Sequence, residues 1–143
     1  MIRPIEIKDA EEVMEICITS LDQMTTVEIL REQIPVLSAD EHYYVAVYED
    51  ETDGKVKGFI QAEDFHLVYK EKGWNVMGLA VANEEKGKGY GKALLKAFEE
   101  HAKKTGASYI RLNSRIERKE AHGFYEHLGY ECDKTQLRFR KDL

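Results

Sequence analysis

At 143 residues the chain is long enough to bury one continuous core and too short for two, so a single domain over residues 1–143 is expected. A composition 43% hydrophobic and 34% charged, with two prolines, excludes disordered and fibrous classes. The formal net charge of -6 excludes a sequence-independent nucleic-acid binder, which needs clustered Lys and Arg to displace counterions, and favours cationic encounter partners such as amines.

No apolar run approaches the roughly 18–20 residues of a membrane span, and "MIRPIEIKDAEEV" lacks the apolar centre and small-residue cleavage site of a secretory leader. A cytoplasmic protein that engages neither membrane nor nucleic acid is the expectation. Cys17 and Cys132 lack CxxC or Cys/His ligand spacing; both are expected as buried or half-buried thiols in a reducing compartment, and no metal is expected.

The opening "MIRPIEI" alternates as a short edge strand, where the missing N–H of Pro4 is tolerated. Asp9 is the expected N-cap of a helix over residues 10–21, whose Val13, Met14, Ile16, Cys17 and Leu21 recur at spacings of three and four. Val27, Leu30, Ile34 and Leu37 predict a second helix over residues 27–37, with Pro35 disfavouring its last turn. "HYYVAVYED" and "KVKGFIQAEDFHLVYK" are β-branched and aromatic, and the Asp-Gly of the intervening "ETDGK" signals a hairpin. "KEKGW" reads as the next turn and "NVMGLAVA" as a central strand covered on both faces.

Ala93, Leu94, Leu95, Ala97, Phe98 and Ala102 give helix periodicity over residues 91–104, with Gly106 as the stop. "SYIRLNS" is a further strand, "RKEAHGFYEHLG" a short helix ending at Gly129, and "YECD" and "QLRFRKDL" a closing strand pair. Strand, two helices, three strands, helix, strand, helix and strands predict an α/β (α+β) sandwich: a central mixed, mostly antiparallel sheet flanked by about four helices.

Within "NEEKGKGYGKALLKAFEEHAKKTG" a glycine-rich turn stands between a strand and a helix. That arrangement presents free backbone N–H groups and the positive end of the helix dipole to an anion, and glycine removes the Cβ atoms that would keep a phosphate away. A tight structural connection would recruit glycine equally. The P-loop pattern GxxxxGK[ST] is absent, and GxGxxG would need glycine at Lys92 or Leu94, so nucleoside triphosphate and dinucleotide readings both fall.

"LAVANEEKGKGYGKALL", followed some thirty residues later by "AHGFYEHLGY", resembles the GNAT superfamily of acyl-CoA-dependent N-acetyltransferases, whose first motif runs strand, Q/R-x-x-G-x-G/A, helix. The motif falls on Lys86, Gly87, Lys88, Gly89, Tyr90 and Gly91, with Lys86 where the family usually has Gln or Arg. The resemblance implies a GNAT-like fold in which backbone N–H groups of Lys86, Gly87, Lys88, Gly89, Tyr90, Gly91 and Lys92 cradle the pyrophosphate of acetyl-CoA, the acyl donor. Lys88 and Lys92 serve as phosphate contacts or as surface charge. The resemblance also implies that the pantetheine arm lies along the main chain of Leu79, Ala80 and Val81, bordered by Asn113 and Ser114, for which a strand-end cap is the competing role.

Acyl transfer from a thioester to an amine needs a neutral amine, a polarised carbonyl and a proton for the departing thiolate. The resemblance assigns that proton to Tyr125, against the alternative that Tyr125 and Phe124 only pack their helix. Many relatives place a glutamate on the central strand, but residues 75–81 offer no carboxylate. Glu63, on a strand expected to border the acceptor cleft, is the preferred base, with Asp64, His66 and His122 as alternatives, while His42, His101 and His127 read as surface positions. Arg118 stands where an asparagine is common in the family, and its role is open.

The resulting expectation is an enzyme: acetyl-CoA and a primary amine react by direct attack, without metal or covalent enzyme intermediate. The acceptor, a small-molecule amine or a protein amine, would lie between the two N-terminal helices and the hairpin over residues 59–76, with Asp22, Glu28, Glu63 and Asp64 as ammonium partners. The rival is a non-catalytic acyl-CoA-binding regulatory module. A homodimer through the "QLRFRKDL" edge is allowed.

Overall fold

Five strands pair in chain order into one sheet: β1 (Ile2–Pro4), β2 (Tyr43–Glu49), β3 (Val56–Leu67), β4 (Lys70–Val81) and β5 (Tyr109–Leu112). The first four form an antiparallel meander, and β5 joins β4 in parallel after the crossover helix α3 (Tyr90–Lys104), as a parallel neighbour requires. Helices α1 (Ala10–Leu21) and α2 (Val27–Ser38) lie between β1 and β2 in the chain. The computed structural model describes residues 1–143, which form two compact units, Met1–Asn113 and Ser114–Leu143. The sheet and α1 to α3 make up the first; α4 (Lys119–His127) belongs to the second. The mixed, mostly antiparallel sheet with four helices is the α/β arrangement expected. No helix is long and apolar enough to cross a membrane.

Alternation along the strands divides the sheet into two faces. Val47, Phe59 and Ala80 face α1 and α2, packing with Val13, Ile16 and Ile34. The opposite face meets α3, where Leu94, Leu95 and Phe98 are fully buried and the Phe98 ring lies 5.1 Å from Tyr44 and 5.7 Å from Trp74. Each such side chain contributes about 1.5–3 kcal/mol by leaving water, so α3 and the Gly-rich turn at its start are firmly anchored to the sheet. Trp74 is 1% exposed, and its indole N–H donates to Thr105 Oγ1 at 2.9 Å, which ties the C-terminus of α3 to β4.

Several local expectations are corrected. Asp9 stands at the N-terminus of α1 but does not cap it with its side chain; its carboxylate is 2% exposed and accepts from Arg3 Nη1 (2.9 Å), Arg3 Nη2 (2.8 Å) and the Glu6 N–H (2.8 Å). A buried carboxylate requires such partners, so it is spent on locking β1 to the first helix. Helix α2 continues through Pro35 to Ser38, because the proline ring removes one N–H while its carbonyl still accepts from the Ala39 N–H at 3.1 Å. The second hairpin turns at Val68 and Tyr69, both exposed, and "KEKGW" is strand. Gly73 was a misleading turn signal: a Cβ there would collide with the Tyr109 ring, so glycine is needed for side-chain packing across β4 and β5.

Residues 131–143 form no strand pair and are exposed throughout. "QLRFRKDL" has strand composition, but extended backbone is stabilised by a pairing neighbour and this segment has none in the sheet. Cys132 is consequently exposed, whereas Cys17 is half-buried and burial pushes its thiol pKa up. His101 is no simple surface position either; it stacks at 4.7 Å on Tyr44 and 5.4 Å from Trp74, and burial beside Lys72 and Lys104 lowers its pKa.

Candidate active site

Strands β4 and β5 part halfway along β4. The pairs Gly73↔Tyr109, Trp74↔Ile110, Asn75↔Arg111 and Val76↔Leu112 are the whole of their ladder. The register between β3 and β4 slips at the same level: Gln61 opposes Gly78 and Ala62 opposes Val76, leaving Met77 as an extra residue. A bulge increases twist and bends its strand, which turns β4 away from β5. Residues 77–81 therefore keep β3 on one side and no strand on the other, leaving main-chain groups of Leu79 and Ala80 along an open edge. The Val81 carbonyl accepts from Ser20 Oγ at 2.9 Å, so α1 holds the end of this edge.

The turn that follows β4 is braced before it opens. Asn83 Nδ2 donates to the Thr19 carbonyl at 3.1 Å, and Glu85 receives Lys57 Nζ at 3.2 Å and Lys88 Nζ at 2.6 Å. Gly87 and Gly89 then take φ of 82° and 89°, a region costly to residues with a Cβ. Gly89 is the N-cap of α3 and contributes no side-chain cap, so the first-turn N–H groups of Tyr90, Gly91 and Lys92 meet no capping side chain. A Cβ built at Gly87 or Gly89 would meet nothing within 4 Å. The result is a cradle of amide groups facing open space at the positive end of a 15-residue helix. Tyr90 is fixed by stacking on Tyr48 at 4.3 Å. Lys86 and Lys92 are exposed, while the Lys88 ammonium is engaged with Glu85, whose hydrogen bonds from Lys88 and Lys57 hold its carboxyl below the usual range.

Register separates the base candidates. Glu63 lies opposite Tyr43 on β2 and Asn75 on β4, on the α1/α2 face, half-buried. Beside it α1, α2, β2, β3 and β4 enclose a cleft of about 380 Å³ lined mainly by apolar side chains, among them Leu30, Ile34, Tyr43, Phe59, Gln61 and Met77. Asp64 points to the other face, where Lys72 Nζ pairs with its Oδ2 at 3.3 Å, while the exposed His66 brings Nε2 within 3.1 Å of Oδ1 without hydrogen-bonding it. Asp22 takes a left-handed conformation (φ 53°) as the C-cap of α1, and Glu28 is exposed in the first turn of α2. Asn113 is exposed and accepts from Arg111 Nη2 at 3.0 Å, the strand-end role.

In the second unit, Tyr125 sits on α4 with its ring 5.2 Å from Phe124 and 5.9 Å from Tyr130. Burial raises its phenol pKa above the ordinary value, partly offset by Arg118. His122 Nε2 is 2.8 Å from the Arg115 carbonyl, a bond that pins the loop before α4 and occupies one ring nitrogen.

Two polar positions next to Glu63 escaped the sequence reading. Asn75, its cross-strand neighbour, has a buried Oδ1 with no hydrogen-bond partner, and Arg111 is the next residue along the same row. Parity within "YIRLNS" would have placed Tyr109 and Arg111 on one face, but only the register of β5 against β4 says which face that is.

Residues 8–130 match the Acetyltransferase (GNAT) family. An aminoalkylphosphonate N-acetyltransferase of Salmonella typhimurium is 32% identical over 108 residues, spanning 76% of this chain and 67% of that protein. Among solved structures, a transcriptional regulator from Bacillus halodurans superposes with a TM-score of 0.86 at 20% identity over 99% of both chains. A glucosamine-6-phosphate N-acetyltransferase from Arabidopsis thaliana does so with 0.84 at 22% identity over 99% of this chain and 98% of its own. The two structures share the fold, and the family match covers most of the sequence and both of its motifs. The chain thus belongs to the acetyltransferase (GNAT) family and is an acetyl-CoA-dependent N-acetyltransferase.

Proposed function

We propose that the protein acetylates the primary amine of a small molecule by direct attack of the amine on the acyl donor, in the cleft beside Glu63. The observation that carries this reading is the parting of β4 from β5 directly before an uncapped, glycine-opened helix N-terminus. The residues fit the donor: the open space in front of Gly87 and Gly89 suits a pyrophosphate, and the free edge of β4 suits an extended amide-containing arm. Leu79, Ala80 and Val81 would hold that arm through main-chain atoms, and the amides from Lys86 to Lys92 the phosphates. When bound, acetyl-CoA supplies an activated acyl thioester.

The chain's own groups do the proton work. Glu63, directly or through one water, takes a proton from the ammonium so that nitrogen has a free lone pair. A C–N bond forms as the C–S bond breaks. The departing thiolate takes a proton from a general acid, the role that the family resemblance assigns to Tyr125, whose raised pKa keeps the phenol protonated at neutral pH. The second proton that the nitrogen loses as the amide forms restores that acid through water. A 380 Å³ cleft is the size of a small-molecule site, which favours a metabolite-sized acceptor over a protein side chain, and the name of the Salmonella relative supports the same class. The family membership favours turnover over a non-catalytic binding role. The test is release of free thiol from acetyl-CoA across a panel of amines, with mass spectrometry of the product and Tyr125→Phe alongside. Tight coenzyme A binding with no acetylated product from a broad panel refutes the proposal.

A further inference from the structure

Three residues on three neighbouring strands form one row across the sheet at the level where β4 and β5 separate. Glu63 on β3 opposes Asn75 on β4, and Asn75 opposes Arg111 on β5, so their side chains leave the same face. Two strand spacings put the Cα atoms of Glu63 and Arg111 about 10 Å apart, with the shorter Asn75 between them. The row ends at the last β4–β5 pair but one, beside the open edge.

Arg111 is held in place by Phe65 and Asn113 and has no carboxylate partner. Its guanidinium lies 5.0 Å over the Phe65 ring, and Nη2 donates to Asn113 Oδ1 at 3.0 Å. Tyr109, two residues earlier on the same face, lies across Gly73 and braces this end of the strand. Stacking uses the face of the guanidinium plane and leaves donors along its edge. No carboxylate pairs with Arg111, and none of the chain's cations pairs with Glu63. Two opposite charges share a row, both half-buried, and neither is neutralised by the protein. Asn75, with its buried and unpartnered Oδ1, supplies a hydrogen-bond acceptor between them.

We infer that the acceptor is a compact amine that also carries an anion, with its ammonium directed to Glu63 and Asn75 and its carboxylate, sulfonate or phosphate bound by the edge of Arg111. A neutral or purely cationic amine bound at Glu63 would leave the half-buried Arg111 at the end of the row without a counterion, which penalises it relative to a zwitterion. Arg111 is a specificity-determining residue under this proposal, and its planar fork suits a two-oxygen contact.

This inference rests on the reading of the cleft as the acceptor site of an amine acetyltransferase. The experiment compares propylamine with β-alanine, taurine and phosphoethanolamine as acceptors of the full chain at saturating acetyl-CoA, for the wild type, Arg111→Ala and Arg111→Lys. The wild type is expected to favour at least one anion-bearing amine over propylamine, and Arg111→Ala to reduce that kcat/KM ratio about 30-fold, chiefly through KM, as loss of a charge-assisted contact predicts. Arg111→Lys should recover part of the ratio, and the KM for acetyl-CoA should stay at the wild-type value in both. Wild-type preference for propylamine, or an unchanged ratio in Arg111→Ala, overturns the inference while leaving the acetyltransferase reading intact. Coenzyme A binding without acetylation of any of the four overturns both.

Discussion

Replacing Gly89 by valine separates the structural and the ligand-binding roles of the turn. Gly89 has a φ of 89°, and a Cβ there meets nothing within 4 Å, so the substitution costs backbone strain without a clash. That strain is roughly 1–2 kcal/mol, set against a total stability on the order of 10 kcal/mol, so the domain stays folded with a Tm lower by about 3–8 °C. The branched side chain would project into the space assigned to the pyrophosphate. Losing two amide contacts to a charged oxygen, each about 1.5–3 kcal/mol, weakens coenzyme A binding by about 10²–10⁴-fold. Titration calorimetry with coenzyme A and a thermal melt of the same sample measure both quantities. Gly54→Val is the matched control, because Gly54 has a φ of 70° and an equally open surrounding but lies in the β2–β3 hairpin. It should lose similar stability and keep its affinity. If Gly89→Val binds coenzyme A like the wild type, or if Gly54→Val loses affinity equally, the cradle assignment is wrong.

Other consequences are open to measurement. Tyr125→Phe should lower kcat about 10- to 100-fold with little change in the KM for acetyl-CoA, because only the proton is removed. In the proposed role the phenol acts in its protonated form, and burial raises its pKa, so the alkaline fall of kcat that depends on Tyr125 should lie above the usual tyrosine range and vanish in the phenylalanine variant. Glu63→Gln should lower kcat/KM about 100-fold at neutral pH and recover as pH rises and the free amine becomes abundant, which a pH–rate profile reads directly. For Asp9, burial alone would raise the pKa, but hydrogen bonds from Arg3 and the Glu6 N–H outweigh it and hold the carboxyl below its ordinary value. The stability it contributes is present above the unfolded carboxyl pKa and is lost as pH falls through the lower folded value. Asp9→Ala should therefore cost about 3–5 kcal/mol at pH 7, and denaturant melts should show the gap to wild type narrowing below about pH 4. A gap that persists unchanged in acid would contradict this account.

Local chemistry explains why much of the architecture could be read directly. Helix α3 is legible because Leu94, Leu95, Phe98 and Ala102 repeat at helical spacing and glycines stand at both ends, and the cradle is legible because positive φ and backbone approach leave a glycine signature. Signals with two causes misled. Gly73 has the composition of a turn and is instead the floor beneath Tyr109, while Asp9 is the N-cap residue of α1 as expected but commits its carboxylate to Arg3 and the Glu6 N–H. The tail over residues 131–143 has strand composition, but a strand exists only with a neighbour, and composition names none.

The row of Glu63, Asn75 and Arg111 shows the sharper division. The identities of Glu63, Asn75 and Arg111 are in the chain, and each strand's own alternation is in the pattern of apolar residues. That the three stand side by side on the α1/α2 face follows from cross-strand register and from the extra residue at Met77, neither of which local spacing encodes. A slip of one residue in either ladder would move a whole set of side chains to the α3 face. Sequence therefore carried the glycine turn proposed to hold the donor, whose geometry is main-chain and local, and folding assembled the row proposed to meet the acceptor, whose members are distant in the chain.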